Sequence, residues 1–287
     1  MSLPLPQENP SPARTNLFRR VLSALVLVPL VLGVLQYGSP GLVWALVLVI
    51  GVLSWHEYAG LVENMGVPVC RVTGLVLTVL ILSAFLVQGY LVQEPYPEGW
   101  VALPALSLII LFLAWLTGGG DRRLGLDSLA YSLLGVIYVP GLLGFLLLLH
   151  DPVYQNRWVF FVLLVVWVGD VAAFFVGRAL GRRRLAPRIS PGKTVEGAVA
   201  NVLGGLAGGA LAKLTFLPSL SWGHCLLGAL ICGMIGQLGD LFESLLKRNA
   251  GVKDSGRSIP GHGGLLDRID SLLFAGPAFY CYWRLMM

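Results

Sequence analysis

This sequence is poor in charge. Of 287 residues, 12% are charged and 56% are hydrophobic, with a mean hydropathy of +0.78. A soluble domain carries roughly one-quarter charged residues, so this composition argues against a water-facing globule. Cysteine is sparse as well. Cys70, Cys225, Cys232 and Cys281 are scattered through apolar runs without CxxC spacing, which excludes a disulfide or zinc framework and leaves small packing residues. A secretory leader is not expected, because Arg14, Arg19 and Arg20 precede an apolar run of about 20 residues, too long for a leader's hydrophobic core. Several catalytic signatures are missing. His56-Glu57 lacks the second His of HExxH, and no GxSxG is present. Gly192-Lys193-Thr194 would end a phosphate-binding P-loop, but Pro187 stands where its first glycine belongs. The CDP-alcohol phosphotransferase pattern is absent too.

What is present is a series of long apolar runs, each long enough to cross a bilayer as a helix. The sequence therefore predicts an all-α, polytopic integral membrane protein with about nine transmembrane helices. The spans fall near 17–37, 40–61, 72–92, 100–117, 127–149, 157–178, 194–217, 222–246 and 265–286. Residues 1–16, with Pro4, Pro6, Pro10 and Pro12 and no apolar period, are expected to be a disordered cytoplasmic tail. Residues 17–120 then form an N-terminal helical region and 121–287 a C-terminal catalytic region. Turn chemistry marks the breaks, as in Gly38-Ser39-Pro40 and Leu217-Pro218-Ser219. With the N-terminus in the cytoplasm, 17 of the 20 Lys and Arg fall on the inside, leaving Arg157, Lys213 and Arg284 outside. That bias fits the positive-inside rule and puts the C-terminus outside. The net charge of +5 reports this topology, and nucleic acid is not an expected partner.

The first five spans carry few ionisable residues, whereas the last four hold Asp170, Glu196, Asp240, Glu243, Asp267 and Asp270. A carboxylate at membrane depth is costly unless paired, so each marks either a site or a structural ion pair. Gln237, Asp240, Ser244 and Lys247 share one helix face, and Asp240 lies about 10 Å from the helix end near Lys247. Asp267 and Asp270 open the last span, where capping is the simpler explanation. Two carboxylates from separate helices, with cations nearby, also make a hard oxygen site suited to Mg²⁺. The basic segment 177–197 is either a topogenic loop or a phosphate holder. Ser190-Pro191 is expected to cap and open the seventh span.

The densest polar stretch is Ser244 to Asp270, SLLKRNAGVKDSGRSIPGHGGLLDRID. Lys247, Arg248, Lys253 and Arg257 could neutralise a polyphosphate. Gly251, Gly256, Gly261, Gly263 and Gly264 permit the close backbone approach a phosphate cradle needs. His262 suits a hydrogen-bonding role. The whole stretch resembles the signature of the phosphatidate cytidylyltransferase (CDP-diacylglycerol synthase) family. The block from Gly169-Asp170 to Glu196-Gly197 is similar as well, with Val171 departing from the Ser or Thr many members carry. The resemblance implies a cell-membrane enzyme, a homodimer with a polar funnel open to the cytoplasm, joining CTP and phosphatidate with Mg²⁺. By motif match, Asp240 and Asp267 would hold the metal, with room for a second cation. Lys247, Arg248, Lys253, Asp254, Arg257, His262 and Asp270 would be catalytic. Asp170, Arg188, Ser190, Lys193, Thr194, Glu196, Gly263, Gly264 and Arg268 would bind substrate. The alternatives are a cation-coupled transporter, which would place its sites at mid-bilayer, and a CTP-dependent kinase of a lipid alcohol.

Overall fold

Backbone surrounded by lipid must bond to itself, and helices are how apolar runs of this length do so. The computed structural model describes residues 12–90, 97–118, 122–150, 156–259 and 263–286. Helix α1 covers Pro12–Tyr37, α2 Pro40–Asn64, α3 Arg71–Tyr90 and α4 Pro97–Gly118. Helix α5 (Gly125–Val136) passes through a π-helical turn, Ile137–Gly141, toward α6 (Phe145–Leu149). Pro140 lies in that turn, where its missing N–H and its ring forbid a regular α-helical bond. Helices α7 (Arg157–Leu180), α8 (Val195–Thr215), α9 (Trp222–Asn249) and α10 (Leu266–Met286) complete the chain. Among the described residues, six helical stretches are long and apolar enough to cross a membrane: α2, α3, Gly125–Leu149, α7, α8 and α9. This is a multi-pass, helical membrane protein.

Two expectations need correction. Helix α1 begins at Pro12, so residues 12–16 are helical; proline suits a first helical turn because its absent N–H would be unbonded there anyway. Residues 1–11 lie outside the described residues. Nor does Ser190 cap a helix. Residues Ser190–Thr194 form strand β2, antiparallel to β1 (Arg184–Ala186), in a small hairpin between α7 and α8. Thr194 is the cap of α8: its Oγ1 accepts from Gly197 N at 3.1 Å. Among the described residues, one short two-stranded sheet thus interrupts a helical chain.

The helices that carry the late carboxylates pack through small residues, as membrane helices do when backbones must come close. A Cβ on Gly204 of α8 would stand 2.6 Å from the Cβ of Ala172 on α7. One on Gly239 of α9 would collide with the carbonyl oxygen of Asp270 on α10. That second approach brings the helix positions of Asp240 and Asp270 side by side. The N-terminal helices share the same apolar core. Tyr138, fully enclosed, meets Phe242 of α9 edge-on at 4.8 Å and Phe274 of α10 at 6.3 Å. Tyr58 of α2 donates to Tyr131 O at 2.8 Å, so α2 is fixed against α5.

Candidate active site

Helix α9 is long and ends in Lys247 and Arg248, cations that complement its C-terminal partial negative charge. Its last turns present Asp240, Glu243, Ser244 and Lys247 at helical spacing. Lys247 Nζ donates to Glu243 Oε2 on its own helix and to Asp267 Oδ1 on α10, both at 2.6 Å. Asp267 is almost fully enclosed and is bonded on its other oxygen as well. Its Oδ2 accepts from Ser255 N at 3.0 Å, Ser255 Oγ at 3.0 Å and Gly264 N at 2.9 Å. Gly263 adopts φ +83°, a backbone conformation that a side chain would strain, and so turns the loop back onto Asp267.

Asp240 faces a different cation. Its Oδ2 lies 2.5 Å from Lys193 Nζ, which β2 carries across to α9, and its Oδ1 accepts from Ser244 Oγ at 3.4 Å. Arg248 Nε donates to Ile189 O at 3.0 Å, a second link between the end of α9 and the hairpin. On α7, Asp170 accepts from Asn201 Nδ2 of α8 at 3.0 Å, and its charge interacts with those of Asp240 and Lys193. Asp270 in turn interacts with Asp240, Asp170 and Lys247. Four helices and one hairpin therefore converge on a polar cluster with carboxylates and ammonium groups interleaved.

The remaining candidates divide by what they touch. Glu196 accepts from the backbone N–H groups of Arg182 and Arg183 at 3.1–3.3 Å, which ties the start of the hairpin to α8. Thr194 is buried as the α8 cap, and Ser190 is paired in the hairpin with Ala186. Gly264 is buried, its amide directed at Asp267. Arg188, Lys253, Asp254, Arg257 and Arg268 are exposed. His262, with Pro260 and Gly261, lies outside the described residues.

The cluster suits a hard cation. Its donors are carboxylate oxygens from two helices, and each of Asp240 and Asp267 already faces a positive charge. No group of three or more His, Cys, Asp and Glu forms a ready cage among the described residues. Mg²⁺ needs none, because it is usually held by one or two carboxylates together with water and substrate phosphate. Glu243 is fully buried, and its Oε1 has no hydrogen-bond partner among the described residues, so the cluster is not internally saturated.

One participant lies outside the stretches singled out above. Glu57, in α2, is buried and accepts four hydrogen bonds from residues 255–266. The available signal was an ionisable residue inside an apolar span, the same signal that drew attention to Asp240.

A model described as the cytidylyltransferase family matches residues 18–286, nearly the whole chain. The chain belongs to the cytidylyltransferase family. Among its curated relatives, the phosphatidate cytidylyltransferase of Brucella suis biovar 1 (strain 1330) is 35% identical over 276 residues, which is 93% of each chain. The phosphatidate cytidylyltransferase of Pseudomonas aeruginosa is 35% identical over 269 residues, covering 91% of this chain and 94% of that one. The protein of the same name from Haemophilus influenzae is 35% identical over 291 residues, covering 92% and 98%. The similarity therefore reaches α1 to α4 as well as the two polar segments. As a cytidylyltransferase-family member the chain is an enzyme, and the transporter alternative falls away.

Proposed function

We propose that this protein transfers the cytidylyl group of CTP to phosphatidate, giving CDP-diacylglycerol and pyrophosphate. The observation that carries this reading is the cluster at the end of α9, where Lys193 meets Asp240 and Lys247 meets Asp267, in a chain of this family. The lipid phosphate is already ionised and needs no strong base to attack the α-phosphorus. The difficulty is bringing two anions together, so catalysis rests on positioning and charge neutralisation. Lys193 and Lys247 supply fixed positive charge beside the two carboxylates, while Lys253, Arg257, Arg188 and Arg268 supply exposed charge around them. Asp240 and Asp267 would hold Mg²⁺, which when bound neutralises phosphate oxygens and orients them. Asp170 and Asp270 leave room for a second cation. Asp254, Arg248 and His262 complete the set that would contact the phosphates, and Ser190, Thr194, Glu196, Gly263 and Gly264 shape the walls.

The reading includes nine spans, a cytoplasmic site and N-terminus, an external C-terminus in the cell membrane, and a homodimer. A parity argument supports the span count. Glu57 near the end of α2 bonds to the loop that follows α9, so both helices end on one side. An even number of crossings must separate them: α3, α4, Gly125–Leu149, α7, α8 and α9 make six with α4 and five without it. The proposal is tested by incubating detergent-purified protein with CTP, phosphatidate and Mg²⁺. CDP-diacylglycerol and pyrophosphate should form in equal amounts, and no lipid product would overturn the reading.

A further inference from the structure

Glu57 lies 198 residues before Ser255 in the chain, yet its carboxylate is turned wholly to the signature loop. A carboxylate has roughly four acceptor positions, and each of these has a donor within reach, one of them shared with Asp267. Oε1 accepts from Ser258 Oγ at 2.5 Å and Leu265 N at 2.9 Å; Oε2 accepts from Ser255 Oγ and Leu266 N, both at 2.9 Å. Leu265 and Leu266 stand at the start of α10, where backbone N–H groups have no partner within the helix. Glu57 therefore caps α10 from a different helix, with its negative charge at the positive end of the α10 dipole.

The same contacts explain two glycines. A Cβ on Gly256 would stand 2.7 Å from Glu57 Oε1, and one on Gly264 would stand 2.5 Å from Oε2. The space a side chain would need is filled by Glu57 at Gly256, and by Ser255 Oγ together with Glu57 at Gly264, a different constraint from the phosphate cradle that their pattern suggested. Ser255 Oγ lies 2.9 Å from Glu57 Oε2 and 3.0 Å from Asp267 Oδ2, so its single O–H is shared between the two carboxylates.

We infer that Glu57 is a positioning residue: it clamps Ser255, Ser258, Leu265 and the first turn of α10 so that Asp267 faces Lys247 and the end of α9. The N-terminal helices thereby take part in building the site. The link to turnover rests on the function proposed above; the clamp itself does not.

The test uses the full chain in detergent or nanodiscs, with amide hydrogen exchange followed by mass spectrometry and turnover measured alongside. Glu57→Gln keeps the shape but replaces one acceptor oxygen by a donor. Exchange across 255–266 should rise about tenfold while α7 and α8 are unchanged. CDP-diacylglycerol formation should fall about 10–100-fold, as for other residues that orient a metal ligand. Glu63→Gln, which removes the partner of Arg71 on the same helix, should leave exchange at 255–266 as in wild type. Wild-type exchange and turnover in Glu57→Gln would overturn the inference. So would a rise spread evenly over α2, α3 and α5, which would mean that Glu57 only holds the bundle together. Should Glu57→Gln fail to fold, Ser258→Ala removes a single donor at an exposed residue. It should raise exchange in the same segment severalfold, and wild-type values there would also overturn the clamp. If wild-type protein forms no lipid product, the proposed function fails and the exchange arm still decides the clamp.

Discussion

Two basic segments meet at the end of α9, and they are held in opposite ways. Residues 181–194 are organised mainly by backbone pairing, with Glu196 holding only the N–H groups of Arg182 and Arg183: Arg184 faces Thr194, Ala186 faces Ser190, and Val195 N donates to Arg183 O at 2.9 Å. Their arginines at 182–184 and 188 are exposed. Residues 250–265 have one isolated bridge, Ile259 with Gly263, among the described residues. The rest of their shape depends on two buried carboxylates, Asp267 and Glu57, which collect hydroxyl and backbone N–H donors. A segment shaped by its own ladder can change side chains and keep its fold. A segment shaped by carboxylates from elsewhere cannot lose those carboxylates.

The largest effect should therefore come from Asp267→Asn. It removes the charge facing Lys247 and turns an amide donor toward groups that are themselves donors, so lipid product formation should fall on the order of 10³-fold. Stability should drop by about 1–3 kcal/mol for each buried group left unpaired, measurable by thermal unfolding in detergent. Lys193→Ala separates the hairpin from Asp240 and leaves its ladder intact. Turnover should fall about 10²-fold, with unfolding within about 0.5 kcal/mol of wild type because the pair is partly exposed. A large stability loss there would show that the hairpin is not held by its backbone. Thr194→Ala should cost about 1 kcal/mol through the lost α8 cap and change turnover less than Lys193→Ala. Arg248→Ala, which loses an exposed bond to Ile189 O, should reduce turnover about threefold.

Much of this was legible in the sequence, for identifiable reasons. Helix positions followed from runs of apolar residues, because the bilayer leaves no other way to satisfy backbone groups. Asp240 and Lys247 stood out because charge is rare in such runs and 3.6-residue spacing put them on one face. The hairpin was hidden, since Ser190-Pro191 carries the usual signs of a helix start and Thr194, four residues later, does the capping. The pairing of Lys193 with Asp240 joins residues far apart in the chain, and local pattern contains no such information. Beside His56, Glu57 reads locally as no more than a fragment of an HExxH motif. Its role appears when α2 packs beside the loop after α9. Gly256 and Gly264 carry the same lesson: the pattern shows that glycine is there, and the fold shows what takes the space.

The central claim is that this site joins the α-phosphate of CTP to a lipid phosphate. The most direct test uses two batches of CTP, one labelled at the α-phosphorus and one at the γ-phosphorus, with purified protein, phosphatidate and Mg²⁺. The account predicts that the α-label enters the lipid and the γ-label leaves as pyrophosphate. A γ-label in the lipid, or no label there at all, would contradict it.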